Sequence, residues 1–141
     1  FKPYYKRLIE KAHSLGVHVW LHSCGNIEPF IPEFIDIGLD VLHPIQKYTM
    51  DERDIANKFG QELCIWAGFD MQRTIPYGTP DDVRKEVRYL IDTYANQNGR
   101  FLLTLGNHAT ADMKIESLEA LLHESYHYGI QKMEDIHTAN Q

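Results

Sequence analysis

His22-Ser23-Cys24-Gly25 carries the richest chemistry in this 141-residue chain. In an extended strand side chains alternate faces, so His22 and Cys24 point the same way, one pleat apart. An imidazole and a thiolate held together suit zinc, which accepts both ligand types and keeps an open position in catalytic sites built from three protein groups. A cysteine packed as a small hydrophobe beside a hydrogen-bonded histidine fits the same spacing. Two ligands are not a site, and Leu105-Gly106-Asn107-His108 offers a third: the glycine permits close backbone approach and His108 follows. The other reading of His108 is a loop histidine exposed to water.

Other residues bear on the same chemistry. Asp70, in Gly68-Phe69-Asp70, sits at an expected strand end, where it could contact substrate, orient a ligand or cap the next segment. Gln46, after Pro44-Ile45, carries an amide that donates and accepts at once, and is otherwise an ordinary polar loop residue. Cys64 lies between Leu63 and Ile65 and reads as core packing. Trp20 shares a strand face with His22 and Cys24 and could floor a cavity, but Trp20 and Trp66 read first as core. A rival motif, His123-Glu124-Ser125-Tyr126-His127, matches the H-E-x-x-H pattern of zinc proteases. Its histidines fall off the face expected to be buried, Leu118, Leu121 and Leu122, and a chain with eight histidines meets such a pattern readily by chance.

The elements that must position these residues follow from periodicity. Residues 4–15 place Tyr5, Leu8, Ile9 and Ala12 on one helical stripe that Gly16 ends. Val17 to Cys24 is short and β-rich, and Pro29 opens a helical stretch with Phe30, Ile31, Phe34 and Ile35. Val41 to Ile45 reads as a strand, Asp51 caps a helix with Ile55, Ala56 and Phe59, and Leu63 to Ala67 is the next strand. Thr79-Pro80-Asp81-Asp82 is a helix start, with Val83, Val87, Leu90, Ile91 and Tyr94 on the buried stripe before Gly99. Phe101 to Leu105 is a fourth strand, and 115–128 a last helix.

Strand then helix, four times over, with near-continuous apolar strands, predicts an α/β fold with a parallel sheet covered by helices. Two architectures fit: a small doubly wound open sheet, or half of an eight-stranded (β/α) barrel, whose full length is about 250 residues. In either, chemistry belongs at the C-terminal ends of the strands, where His22, Cys24, Gln46, Asp70 and His108 fall. No linker or low-complexity stretch divides residues 1–141, which read as a single partial domain. The opening Phe1-Lys2-Pro3 shows no leader peptide and looks like the middle of something longer.

Composition narrows the partners. The chain has 14 Lys and Arg against 20 Asp and Glu, a net charge of −6, so it lacks the concentrated positive field of a nucleic-acid or anionic-membrane binder. Two cysteines do not make a disulfide framework, and no apolar run approaches the length of about 18 residues that spans a bilayer. These features predict a cytoplasmic protein acting on small molecules or proteins, with no nucleic acid and no membrane.

The stretches from Pro3-Tyr4-Tyr5 through His22-Ser23-Cys24-Gly25-Asn26-Ile27, Gly38-Leu39-Asp40-Val41-Leu42-His43-Pro44-Ile45-Gln46 and Gly78-Thr79-Pro80-Asp81-Asp82-Val83 resemble the C-terminal half of the uroporphyrinogen decarboxylase superfamily. The resemblance covers almost the whole chain and implies a (β/α)8 TIM-barrel fold, of which four βα units are present. His22-x-Cys24-Gly25 is similar to the zinc motif of the branch that moves a methyl group from a corrinoid to a thiol or another acceptor. That branch usually offers a cysteine after the glycine near 106, where this chain has Asn107 and His108, a histidine reminiscent of the decarboxylases. The resemblance thus implies Zn2+ on His22, Cys24 and His108, with Asp70 and Gln46 as substrate or supporting contacts. A corrinoid, free or on a carrier protein, would be the methyl donor, and the other half of the barrel or a second subunit a partner. Tetrapyrrole decarboxylation and an inactive half-barrel or interaction domain are the alternatives.

Overall fold

A computed structural model describes residues 1–95 and 99–139. Four strands, β1 (Trp20–His22), β2 (Val41–His43), β3 (Cys64–Phe69) and β4 (Phe101–Leu105), form one sheet in the order of the sequence, and every neighbouring pair is parallel. Sequential parallel order is the arrangement of a (β/α) barrel segment; in the doubly wound alternative the order reverses about a switch point. The sheet is open, so this is a partial barrel.

Helices line one face. Leu42, Ile65, Ala67 and Phe69 are buried with Ile55 of α3 (Glu52–Phe59), Val83, Val87 and Leu90 of α5 (Pro80–Tyr94) and Leu121 of α6 (Ile115–Ala139). Strand alternation turns Trp20, His22, His43, Trp66 and Leu102 to the opposite face, which the described residues leave largely open: Trp20 is 52% and Leu102 38% exposed. The expectation that Trp20 belongs to the core is therefore corrected, because none of the described residues forms a covering layer on the face it occupies.

Element boundaries shift for identifiable reasons. β1 is only three residues of the expected Val17 to Cys24. The Val17 amide folds back to the Ala12 carbonyl after α1 (Lys2–His13), and pairing to β2 begins where Asp40 anchors the Val19 amide at 2.7 Å. β2 stops at His43 because Pro44 has no N–H to continue a ladder. β3 runs two residues beyond the expected Ala67, since β4 pairs with it along its whole length, Ile65 opposite Phe101 through Phe69 opposite Leu105. α5 ends at Tyr94, and residues 96–98 before Gly99 lie outside the described set. Pro29 lies in a 3-10 turn, Glu28–Phe30, ahead of the short α2 (Ile31–Asp36), and Phe30 is 58% exposed.

α6 continues to Ala139, well past the expected residue 128. Its buried face is Ser117, Ala120, Leu121 and Glu124; Leu122, assigned to that face from the sequence, is 69% exposed. Glu124 is turned inward, where Arg88 of α5 donates to it at 2.5 Å. His123 and His127 are exposed, with ring centroids 4.2 Å apart. The H-E-x-x-H match therefore fails as a protease site, because its glutamate is spent on helix packing and does not share the histidines' face. On α1 the stripe is narrower than expected: Ile9 is buried, whereas Tyr5 and Leu8 are exposed.

α5 starts as its sequence dictates. Thr79 accepts from the Asp82 amide, and the Asp82 carboxylate in turn accepts from the Thr79 amide at 3.0 Å, a complete capping box with Pro80 in the first turn. Thr79→Ala is expected to cost about 1 kcal/mol, read as a fall of a few degrees in the thermal midpoint.

Candidate metal centre at the strand ends

The parallel register sets His22 of β1 opposite His43 of β2. Their Nδ1 atoms lie 2.8 Å apart, and His43 Nε2 is 3.2 Å from the Leu105 carbonyl at the end of β4. On its other side, His22 Nε2 is 3.2 Å from the Cys24 Sγ. His22 and Cys24 thus face the same way, as alternation predicted, although Cys24 lies beyond the end of β1. His43, buried and with its ring 4.5 Å from that of Trp66, was not singled out from the sequence. Its signal in the sequence was its place at the end of an apolar strand.

Cys24 is exposed and is positioned by the peptide that follows it. The Gly25 amide donates to Gln46 Oε1 at 2.7 Å, and the Thr49 hydroxyl sits 2.7 Å from the Gln46 carbonyl and 3.3 Å from that of Gly25. Gly25 has a φ of +87°, a conformation that favours glycine. Gln46 therefore acts on the turn that carries the thiol. Cys64 is half-buried at the start of β3, its thiol pKa pushed up by burial.

Asp70 follows β3 and is almost fully buried. Burial by itself would raise its pKa. The amides of Gln72 and Thr74, together with the Tyr48 and Thr74 hydroxyls, outweigh it and hold the carboxyl below its ordinary value. The Gln72, Arg73 and Thr74 amides and the Tyr48 hydroxyl donate to it at 2.9 to 3.2 Å, so it caps α4 (Thr74–Tyr77) and fixes Tyr48, whose φ is +68°. A second buried carboxylate, Glu86, receives the Asp70 amide at 3.2 Å and the Thr74 hydroxyl at 2.5 Å, and pairs with Lys47 at 2.8 Å. Burial disfavours the Lys47 ammonium, yet Glu86 more than compensates and raises its pKa.

Two hollows meet these groups. One, of about 200 Å³, is lined by Cys24, Gln46, Lys47, Gly68, Asp70 and Asn107. The other, of about 280 Å³, lies on the open sheet face between Trp20, His22, His43, Trp66 and His108. His108 is exposed, and its Nδ1 lies 3.0 Å from the Asn107 side chain. It thus shares a hollow with His22, with no direct contact to His22 or Cys24 shown.

The His22 and Cys24 donors fit zinc chemically. Tetrahedral ligation at ordinary Zn–N and Zn–S lengths separates the two atoms by about 3.5 Å, close to the 3.2 Å found. Among the described residues no three His, Cys, Asp or Glu side chains converge as a ligand set. Two donors alone do not complete a zinc site, which takes at least three protein ligands.

Sequential parallel strands, helices on one face and donor side chains gathered at the strand C-termini define a segment of a (β/α)-barrel protein. The chain belongs to the uroporphyrinogen decarboxylase (URO-D) family, whose model matches residues 1–128. Among solved structures it is similar to a methyltransferase from Methanosarcina mazei, with a TM-score of 0.66 at 18% identity, over 87% of this chain and 35% of that one. The chain thus spans about a third of that neighbour's length. No curated protein matches it. Among the described residues no helix is long and apolar enough to cross a membrane.

Two substitutions check this geometry. A Cβ on Gly68 would come within 2.7 Å of both Gly106 Cα and Pro44 Cβ, so Gly68→Ala must displace the loop carrying Asn107 and His108. The expected cost is about 1–3 kcal/mol, measured by denaturant unfolding. For Asp70, a depressed folded pKa means that its stabilisation is complete above the unfolded value and lost as pH falls through the folded one. Asp70→Asn should lower the thermal midpoint at pH 7, and the gap to the native protein should narrow as pH falls below about 4.

Proposed function

We propose that this chain is the C-terminal half of a URO-D-type barrel that transfers a methyl group to a thiol or similar small acceptor, with zinc bound by His22 and Cys24. The observation that carries the reading is the 3.2 Å approach of His22 Nε2 to Cys24 Sγ at the strand ends, beside the hollow that Cys24 lines. Family membership and the methyltransferase neighbour support it. His108, on the loop after β4, is the proposed third ligand, reaching the pair by turning its ring away from Asn107.

Zinc held there would lower the pKa of an acceptor thiol and keep it as the nucleophilic thiolate near neutral pH. The chain's own residues do the positioning. Gln46 and Thr49 hold the Gly25 turn, and with it the Cys24 sulfur. Asp70 and Glu86 brace the wall that carries Tyr48 and Lys47, where acceptor groups would dock. A methyl-corrinoid, free or on a carrier protein, is the proposed donor: its methyl carbon bonds to the acceptor sulfur while the electron pair of the broken bond stays on cobalt. The rest of the barrel, from the same polypeptide or a second subunit, would cover the open face of Trp20, Trp66 and Leu102.

Metal analysis of the intact protein should find zinc in the native form and little in His22→Ala or Cys24→Ala. Both variants should lose at least about tenfold in the rate of thiol methylation from methylcobalamin. Unchanged zinc content in both would overturn the metal assignment. Full methylation by metal-stripped enzyme, or turnover of a tetrapyrrole carboxylate instead, would overturn the reaction.

A further inference from the structure

We propose that His43 is a positioning residue that keeps the ring proton of His22 on Nδ1, so that the bare Nε2 of His22 faces the Cys24 sulfur and any metal the two bind. The last clause rests on the zinc reading above; the proton placement does not.

Counting protons leads to this assignment. Leu105 offers a backbone carbonyl, which only accepts, so the ring nitrogen beside it, His43 Nε2 at 3.2 Å, carries a proton. A neutral imidazole has one, and His43 Nδ1 is then a bare acceptor. The 2.8 Å contact between the two Nδ1 atoms needs one proton, which must sit on His22. A singly protonated His22 then has none left for Nε2, the atom 3.2 Å from Cys24 Sγ. That lone pair faces the Cys24 sulfur, so both atoms are available as metal donors. Ligand histidines are commonly oriented by an acceptor on the other ring nitrogen, often a carboxylate or a carbonyl. Here a second histidine fills that place and itself donates to a backbone carbonyl.

The alternative is a doubly protonated His43 that donates to His22 and drives the His22 proton onto Nε2. Geometry opposes it. His43 is 8% exposed, packed between the His22 and Trp66 rings, and neither of its hydrogen-bond partners is a carboxylate that would stabilise a second proton. The ring also has little freedom to turn, since Trp66 is itself set edge-on by Trp20 at 4.9 Å.

The test uses the intact protein with 15N-labelled histidine. In metal-free native protein, two-bond nitrogen–proton spectra should show His22 as the Nδ1–H tautomer. His43→Phe keeps a ring but removes the acceptor, and should abolish that signature and weaken zinc binding 10–100-fold in chelator competition. His43→Asn, whose Oδ1 can stand where Nδ1 stood, should restore both, with zinc affinity within about threefold of native. Zinc affinity unchanged in a folded His43→Phe protein would overturn the proposal, as would His22 found as Nε2–H in the native spectra. If His43→Phe does not fold, the native and His43→Asn spectra decide. Native protein that binds no zinc would sink the proposed function, while the His22 tautomer would still uphold or overturn the role of His43.

Discussion

The parallel register between β1 and β2 is the constraint on which the site depends. Pairing Trp20 with Val41 sets His22 level with His43, and the inner-face alternation then aims both rings at the same side of the sheet. A slip of one residue would turn one ring into the helical layer and bring its neighbour, Leu21 or Leu42, to the open face. The register is held from the helix side, where fully buried Leu42 leaves no room for an alternative, and from the strand start, where Asp40 accepts the Val19 amide and both His13 and His18. Burial on one face thus decides what the opposite face presents.

A second set of contacts keeps the strand ends at one height. β3 and β4 run in step as far as Phe69 and Leu105, and Gly68 lets the Gly106 backbone pass where a side chain would collide. His43 then reaches across β3 to the Leu105 carbonyl. Beyond the strands, Asp70 and Glu86 serve as internal anchors for Tyr48, Lys47 and the start of α4. Buried carboxylates are tolerated here because amides, hydroxyls and one ammonium satisfy them.

The two faces of the sheet have different chemical characters. The helical face is aliphatic and closed; the opposite face is aromatic and imidazole-rich, with Trp20, His22, His43 and Trp66 in a connected group of ring contacts. The helix-facing strand residues are covered by α3, α5 and α6, whereas the described residues leave Trp20 and Leu102 on the inner face exposed.

Much of the architecture was legible from the residues alone. Apolar strands separated by helical stripes implied parallel pairing, the Thr79 to Asp82 box marked its helix, and the two-residue spacing of His22 and Cys24 implied a shared direction, because each is a local rule of backbone geometry. What the pattern of residue types, apart from the family resemblance, could not decide was anything that depends on which strand lies beside which. The choice between barrel segment and doubly wound sheet, the partnership of His22 with His43 and the exposure of Trp20 follow from sheet order and layer coverage. The inward turn of Glu124 followed from its pairing with Arg88, a residue 36 positions away. Asp70 shows the division in one residue: its place at a strand end was readable, but only the folded chain brought the Tyr48 hydroxyl from 22 positions away to occupy its carboxylate. Local periodicity constrains directions along a segment, and only packing between distant segments determines which of those directions meet.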